Sequence, residues 1–313
     1  MTTFPTPLSR WRYALKPASW PKLLVPALLG VAIGALDAAH VSGRGVAFGA
    51  LFVVFDLCAI VLLNDWADRD VDRIKRQMFP KGCSPKTIPD GILPAHHVLF
   101  AGIAAALAAL IVGVVGAVWL GLPGAAVGGV IGVGIFIAYS LPPLRLNYRG
   151  GGELLEMAGV GVALPWLEAH FVSGRLLTPA DALLIGFVPL CLASAIASGL
   201  SDEVSDRRGG KRTVASVFGN RLARRMVETL VLVGVVLWGL TAVALPSVLP
   251  AWIAAPVLVV VLWSFRKLRQ ESGQATTNAF TPQARYKAHL HHAIWRGATL
   301  LAVLTLARPW LPL

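Results

Sequence analysis

The sequence predicts an all-α integral membrane protein with nine transmembrane helices, and three observations predict it. Of 313 residues, 56% are hydrophobic and 14% charged, with a mean hydropathy of +0.68. A soluble fold of this length carries far more charge on its surface. Nine stretches approach the roughly 20 apolar residues that cross a bilayer: about 22–40, 45–63, 97–119, 122–141, 153–172, 181–200, 226–245, 249–265 and 292–310. Finally, the Lys and Arg residues alternate with these stretches as topology requires.

The first stretch lies too far inside the chain, and is too long, for a cleaved signal peptide. The second carries an acid at its centre, Asp56, and ends on an acidic cluster. Stretches three and four are rich in Ala and Gly, which lets membrane helices approach closely. The fifth begins with Glu153 and Glu156, where negative charge suits a helix N-terminus, and carries Glu168 and His170 near its far end, where a structural or interfacial role is expected. The sixth ends on a second acidic cluster. Between stretches eight and nine, residues 271–284 read as a plain polar linker, and His289, His291 and His292 open the ninth with an interfacial rather than zinc-binding role. The ten Trp residues are scattered, several near helix ends, as interfacial anchors are. Three cysteines cannot form a paired framework, and Cys58 and Cys191 read as reduced fillers of apolar runs.

Numbering the loops by side places all but Arg44, Arg175 and Arg308 of the 28 Lys and Arg residues with the N-terminus. Cationic loops stay in the cytoplasm. The expected setting is therefore the cell inner (plasma) membrane, multi-pass, with the N-terminus and the acidic clusters cytoplasmic and the C-terminus outside. The net charge of +12 is then mostly topology, with no nucleic-acid partner implied. No separate soluble domain is visible. The chain reads as one transmembrane domain, 1–313, with cytoplasmic loops at about 64–95 and 201–225.

Seven of the 16 acidic residues fall in the two clusters, Asn64-Asp65-Trp66-Ala67-Asp68-Arg69-Asp70-Val71-Asp72 and Asp202-Glu203-Val204-Ser205-Asp206. On a helix, positions 65, 68 and 72 share one face, as do 202 and 206. Asp70 points elsewhere, beside Arg69 or Arg73. Carboxylates crowded on one face repel unless a cation joins them. Hard oxygen ligands suit Mg²⁺, which takes one or two carboxylates with waters and phosphate oxygens. Basic and Gly-rich residues follow each cluster, among them Lys75, Lys86 and Gly209-Gly210-Lys211. A metal site beside cations is what a diphosphate needs. The repeat of the motif four spans on also hints at an internal duplication.

These residues resemble the UbiA superfamily of intramembrane prenyltransferases, which carries an NDxxDxxxD motif after its second helix and DxxxD after its sixth. Here they stand as Asn64, Asp65, Asp68, Asp72 and Asp202, Asp206. The resemblance extends to Leu15-Lys16-Pro17 with Pro26 and Gly30, to Lys86-Thr87-Ile88-Pro89-Asp90-Gly91 in the place of the family's RPLPSG, to Tyr139–Arg145, and to Gly210-Lys211-Arg212-Thr213 with Phe218-Gly219. It implies nine helices around a central apolar cavity, capped by the loops after helices two and six. It further implies two Mg²⁺ ions, a polyprenyl diphosphate donor, a lipophilic acceptor of quinone-precursor type, and membrane lipid around the bundle. Gly210-Lys211-Arg212-Thr213 is similar to the dihydroxynaphthoate-using branch, and Asn64-Asp65-Trp66 with Asp68-Arg69 to the chlorophyll-synthase branch.

On this reading Asp65, Asp68, Asp72, Asp202 and Asp206 hold the metal with help from Asn64. Lys86, Tyr139, Arg145 and Lys211 donate to the diphosphate. Apolar walls keep water from the allylic cation. Asp56 either lines the cavity and orients an acceptor or bonds a neighbouring helix. Two other readings fit the residues. One is a terpene cyclase or prenyl diphosphate lyase sharing the same ionisation. The other is a transporter using Asp56, although transporters place such residues near the midplane and the charge here gathers at one face.

Overall fold

The computed structural model describes residues 6–310 apart from 39, 82 and 84. Among these every regular element is helical. An amphipathic helix α1 (Pro7–Ala14) turns through Lys16, in the left-handed region at φ 48°, into α2 (Pro21–Asp37), bent 56° from the preceding segment. Then follow α3 (Gly43–Ala67), the short polar α4 (Arg69–Met78), α5 (Ala95–Leu120) and α6 (Pro123–Ser140). The fifth predicted stretch is α7 (Gly152–Ala158) and α8 (Leu164–Ser173), joined by a π turn over Gly159–Ala163. Next come α9 (Leu183–Ser198), the two short helices α10 (Glu203–Arg208) and α11 (Val214–Phe218), α12 (Asn220–Ala244) and α13 (Ala251–Ser272). The chain closes with α14 (Phe280–His291), a π turn over His292–Arg296, and α15 (Gly297–Ala307).

Each predicted stretch coincides with helix, but nine spans do not follow from helix length. Six of the described helices are long and apolar enough to cross a bilayer alone, or seven if the bent segment ending in α2 counts as one. The first stretch yields only 17 residues of α2, and π turns interrupt the fifth and ninth. The result is an all-helical, multi-pass membrane bundle.

Packing follows small residues. On α5 the buried positions are Val98, Gly102, Ala105, Ala109, Gly113 and Gly116, spaced by three and four along one face. That face meets α3 and α6, while Phe100, Leu107, Ile111, Val114 and Val118 point outward, as lipid-facing residues do. Gly34 lies so close to α8 that an added Cβ would stand 2.6 Å from the Ala169 carbonyl. Helix α9 packs on α12 as α3 packs on α5, the sixth stretch on the seventh as the second on the third. This parallel fits the duplication hinted at by the two motifs.

The stretch 271–284 is not a plain linker. Gln283 is buried and donates to the Leu200 carbonyl at 3.2 Å and the Thr276 carbonyl at 2.7 Å, and Thr277 donates to Glu203 at 2.7 Å. Its Thr277 and Gln283 side chains tether it to the segment that carries the second acidic cluster.

Candidate active site

Both acidic clusters form where a long helix breaks. Helix α3 ends at Ala67, and Asp68 (φ −92°, ψ 4°) joins it to α4. A turn after α9 ends at Ser201, and Asp202 (φ −112°, ψ −1°) joins it to α10. Helix α10 packs against α4, so the two breaks face the same space. The space is a chamber of about 400 Å³ lined by Asn64, Asp65, Asp68, Asp72, Asp202 and Asp206 at one end and by Phe52, Gly128, Gly132, Leu164 and Leu167 at the other.

Lysines hold the carboxylates. Lys16 pairs with Asp65, which also accepts from the Thr87 hydroxyl at 2.6 Å. Lys86 pairs with Asp72 at 2.6 Å and Lys211 with Asp68 at 2.8 Å, and the Tyr148 hydroxyl donates to Asp68 at 3.1 Å. Lys75 of α4 reaches across to Asp202. Two bridges thus cross between the clusters in opposite directions, Lys75 to Asp202 and Lys211 to Asp68. Asp206 has no lysine partner among the described residues and accepts only from Thr213 at 3.4 Å. Its pKa is raised, first by burial, then by Asp202 and Asp68. Asp202 is held below its ordinary value because Lys75, Lys86 and Lys211 outweigh its burial. Burial also raises Asp72, against Lys86.

The loop carrying Lys86 is clamped by Asp90. It takes the Arg76 guanidinium in two hydrogen bonds, 2.9 and 2.6 Å, and the Lys86 backbone N–H at 2.6 Å. These partners lower the Asp90 pKa against its burial. A carboxylate here does what a serine hydroxyl could do only in part.

Asn64, Tyr139, Lys86 and Lys211 line the chamber, as the sequence expected, but Arg145 does not. Its guanidinium donates to the Ala67 carbonyl at 2.9 Å and stacks on the Tyr148 ring at 3.6 Å. Arg145 is engaged behind Tyr148, so it fixes the tyrosine that bonds Asp68 instead of reaching the chamber. Asp70 points outward, paired with Arg73 at 2.9 Å. Asp56 is buried, lines the chamber, and lies about 13 Å beyond Asp65 along α3 by helical rise. Glu153 accepts the Val214 N–H at 2.7 Å and Glu156 pairs with Lys22 at 2.5 Å, so both make tertiary contacts beyond a helix N-terminus. Glu168 is buried between Gly30 and Gly49, and His170 stacks on Trp166. His291 stacks on Trp295 at 4.3 Å.

Sequence reasoning missed Tyr148 and Lys287 as groups of the site, and quoted Lys16 and Thr87 only as part of a resemblance. Tyr148 gave no signal, since its role depends on the turn after Arg145. Lys75 was visible only as positive charge near the correct face.

The donor set fits Mg²⁺. Among the described residues no three acidic, His or Cys side chains are placed to hold a metal by themselves. That suits an ion that takes one or two carboxylates and fills its shell with waters and phosphate oxygens. Asp206, which has no lysine partner among the described residues, and the crowded Asp65, Asp68 and Asp72 could supply the oxygens.

Comparison with known proteins gives a consistent result. The sequence model of the UbiA prenyltransferase family matches residues 23–292. The chain is similar to the chloroplastic chlorophyll synthase of Oryza sativa subsp. japonica, 28% identical over 227 residues, covering 68% of this chain and 57% of that protein. The Arabidopsis thaliana chlorophyll synthase is 26% identical over 230 residues, covering 69% and 56%. The chain thus spans little more than half the length of these relatives. In fold it resembles a UbiA homolog from Archaeoglobus fulgidus, solved bound to DMAPP and Mg²⁺ (TM-score 0.68, 16% identity, 91% of this chain and 99% of that one) and bound to GPP and Mg²⁺ (TM-score 0.67, 16% identity, 93% and 99%).

Proposed function

The chain belongs to the UbiA prenyltransferase family, and on that premise we propose that it moves a prenyl group from a polyprenyl diphosphate to a lipophilic aromatic acceptor, with Mg²⁺, at the end of the bundle where both acidic motifs meet. The observation that carries this reading is the convergence of two motifs four predicted spans apart, with their lysines, on the polar end of an otherwise apolar chamber. The Archaeoglobus fulgidus homolog bound to DMAPP or GPP with Mg²⁺ supports the donor and the metal. The relatives named chlorophyll synthase support including a chlorophyll precursor among the acceptors to be tried.

Asp65, Asp68, Asp72, Asp202 and Asp206, with the Asn64 amide oxygen, would hold the metal, and two ions match the two motifs. When bound, Mg²⁺ neutralises charge that grows on the leaving diphosphate. The lysines hold the carboxylates close together, so little reorganisation is needed on binding. Lys86 and Lys211, with Lys16, can turn from carboxylate to diphosphate oxygens, because each side chain reaches the chamber. Tyr139 offers a further hydroxyl beside them. Tyr148, set by Arg145, orients Asp68. Below the charged end, Phe52, Ile60, Val61, Phe136, Leu164 and Leu167 wall the chamber and exclude water from the allylic carbon as its bond to oxygen breaks. The acceptor then attacks that carbon. The positive loops support a cytoplasmic placement of the motif end in the cell membrane.

The test is incubation of purified protein with geranyl, farnesyl or geranylgeranyl diphosphate and Mg²⁺, with and without aromatic acceptors, following diphosphate release and products. Metal-dependent release that needs an acceptor and yields a prenylated product is expected. A hydrocarbon formed from donor alone would make the protein a cyclase or lyase. No release with any donor would remove the proposal.

A further inference from the structure

Five lysines line the chamber: Lys16, Lys22, Lys86, Lys211 and Lys287. Four have a carboxylate partner, namely Asp65, Glu156, Asp72 and Asp68. Lys287 alone makes no hydrogen bond or ion pair among the described residues. It belongs to α14, which carries neither motif. Its placement is built in. Gln283, four residues earlier and so on the same helix face, is buried against the Leu200 carbonyl at the base of the second motif. Tyr286 is fully buried, with its hydroxyl donating to the Arg224 carbonyl at 3.2 Å. Between them these anchors aim Lys287 into the chamber.

The charged groups around Lys287 are Lys22, Asp202, Glu156 and Lys75. All four are taken by one another, as the pairs Lys22–Glu156 and Lys75–Asp202. The α14 side of the chamber therefore holds two neutralised pairs, one of them with the second motif's Asp202, and one unmatched ammonium. Burial and Lys22 lower the Lys287 pKa, the response of an ammonium that lacks an anion. A single unmatched positive charge fits a monoanion. It does not fit a diphosphate, which carries more charge and has the motif lysines as partners.

We propose that Lys287 is a specificity-determining residue that takes a carboxylate of the acceptor, from the α14 side of the chamber. This rests on the prenyl-transfer reading for the word acceptor, but its test does not need turnover. Binding is followed by tryptophan fluorescence for 1,4-dihydroxy-2-naphthoate, 4-hydroxybenzoate and chlorophyllide a, each against its methyl ester, and for geranylgeranyl diphosphate with Mg²⁺. The wild-type protein is expected to bind at least one acid about tenfold or more tightly than its ester, the scale of a charged hydrogen bond. Lys287→Met should erase that preference by weakening the acid, while Lys287→Arg keeps part of it. Donor affinity within about twofold in both variants reports that the fold and the diphosphate end are intact. A wild-type protein that prefers no acid over its ester overturns the proposal. So does a Lys287→Met variant that keeps the preference, or one that loses donor affinity as much as acid affinity, which would put Lys287 at the diphosphate. Failure of the prenyl-transfer reading is seen separately, as absent metal-dependent diphosphate release in the wild type.

Discussion

The two acidic motifs are built alike and furnished differently. In each, a long helix breaks at an aspartate, 68 or 202, and a short polar helix resumes. The aspartate four residues on donates its N–H back to the first one's carbonyl, Asp72 to Asp68 at 2.8 Å and Asp206 to Asp202 at 2.7 Å. Three residues before the break the likeness ends, with Asp65 in one motif and Gly199 in the other. The first motif carries three carboxylates on its face, each with a lysine, and the second carries two with one lysine between them. That lysine, Lys75, comes from the first motif's own helix. The difference teaches that neither motif is a self-contained site. Each is neutralised partly by the other, and Asp206 is left for something else to neutralise.

The strongest way to break the comparison is to delete one motif's acid. Asp65→Ala and Asp202→Ala should each lower diphosphate release by about a thousandfold or more while the protein still folds, the scale of losing a principal transition-state charge partner. Unimpaired release in either variant would make that motif dispensable. Next come the crossing bridges. Lys75→Met and Lys211→Met each leave a carboxylate unpaired near the chamber and should lower kcat/KM by about ten- to a hundredfold.

The unequal neutralisation has a pH consequence. Asp206 has a raised pKa and Asp202 a lowered one, so acidification protonates Asp206 first. A metal needs the ionised carboxylate, so Mg²⁺ should bind more weakly as pH falls. Half-saturating Mg²⁺ for diphosphate release should rise several-fold from about pH 8 to about pH 6, and Asp206→Asn should flatten that dependence. An unchanged slope in the variant would assign the titration elsewhere.

Smaller effects sharpen the picture. Arg145→Met should lower kcat by about threefold to tenfold with donor KM little changed, because Arg145 acts through Tyr148 and Asp68. A rise in donor KM alone would mean that it meets the diphosphate. Asp70→Asn should stay within about twofold, since its exposed pair with Arg73 contributes little.

Much of this was legible in the sequence because it depends on local spacing. Runs of about 20 apolar residues gave the helices, and the spacings of three and four brought Asp65, Asp68 and Asp72 to the chamber and turned Asp70 away, although the helix breaks at Asp68. Lys211 was expected at the site, but the carboxylate partners of the lysines that reach across it were not legible. Lys75 and Lys211 find their partners 127 and 143 residues away, and only tertiary packing selects them from the many positive charges of the same face. Arg145 was misplaced for the same reason. Its position in the sequence suits a diphosphate, but the turn it occupies hands its guanidinium to Ala67 and Tyr148. The tethering of 271–284 was hidden by a composition that also suits a loop.

The central claim is that two motifs make one site, and a double-mutant cycle on the crossing bridges tests it most directly. Diphosphate release is measured for Lys75→Met, Lys211→Met and the double variant under saturating Mg²⁺. Side chains in one charge network are non-additive. The account predicts that the double variant loses clearly less than the product of the two single losses. Losses that multiply would mean two independent sites and would contradict it.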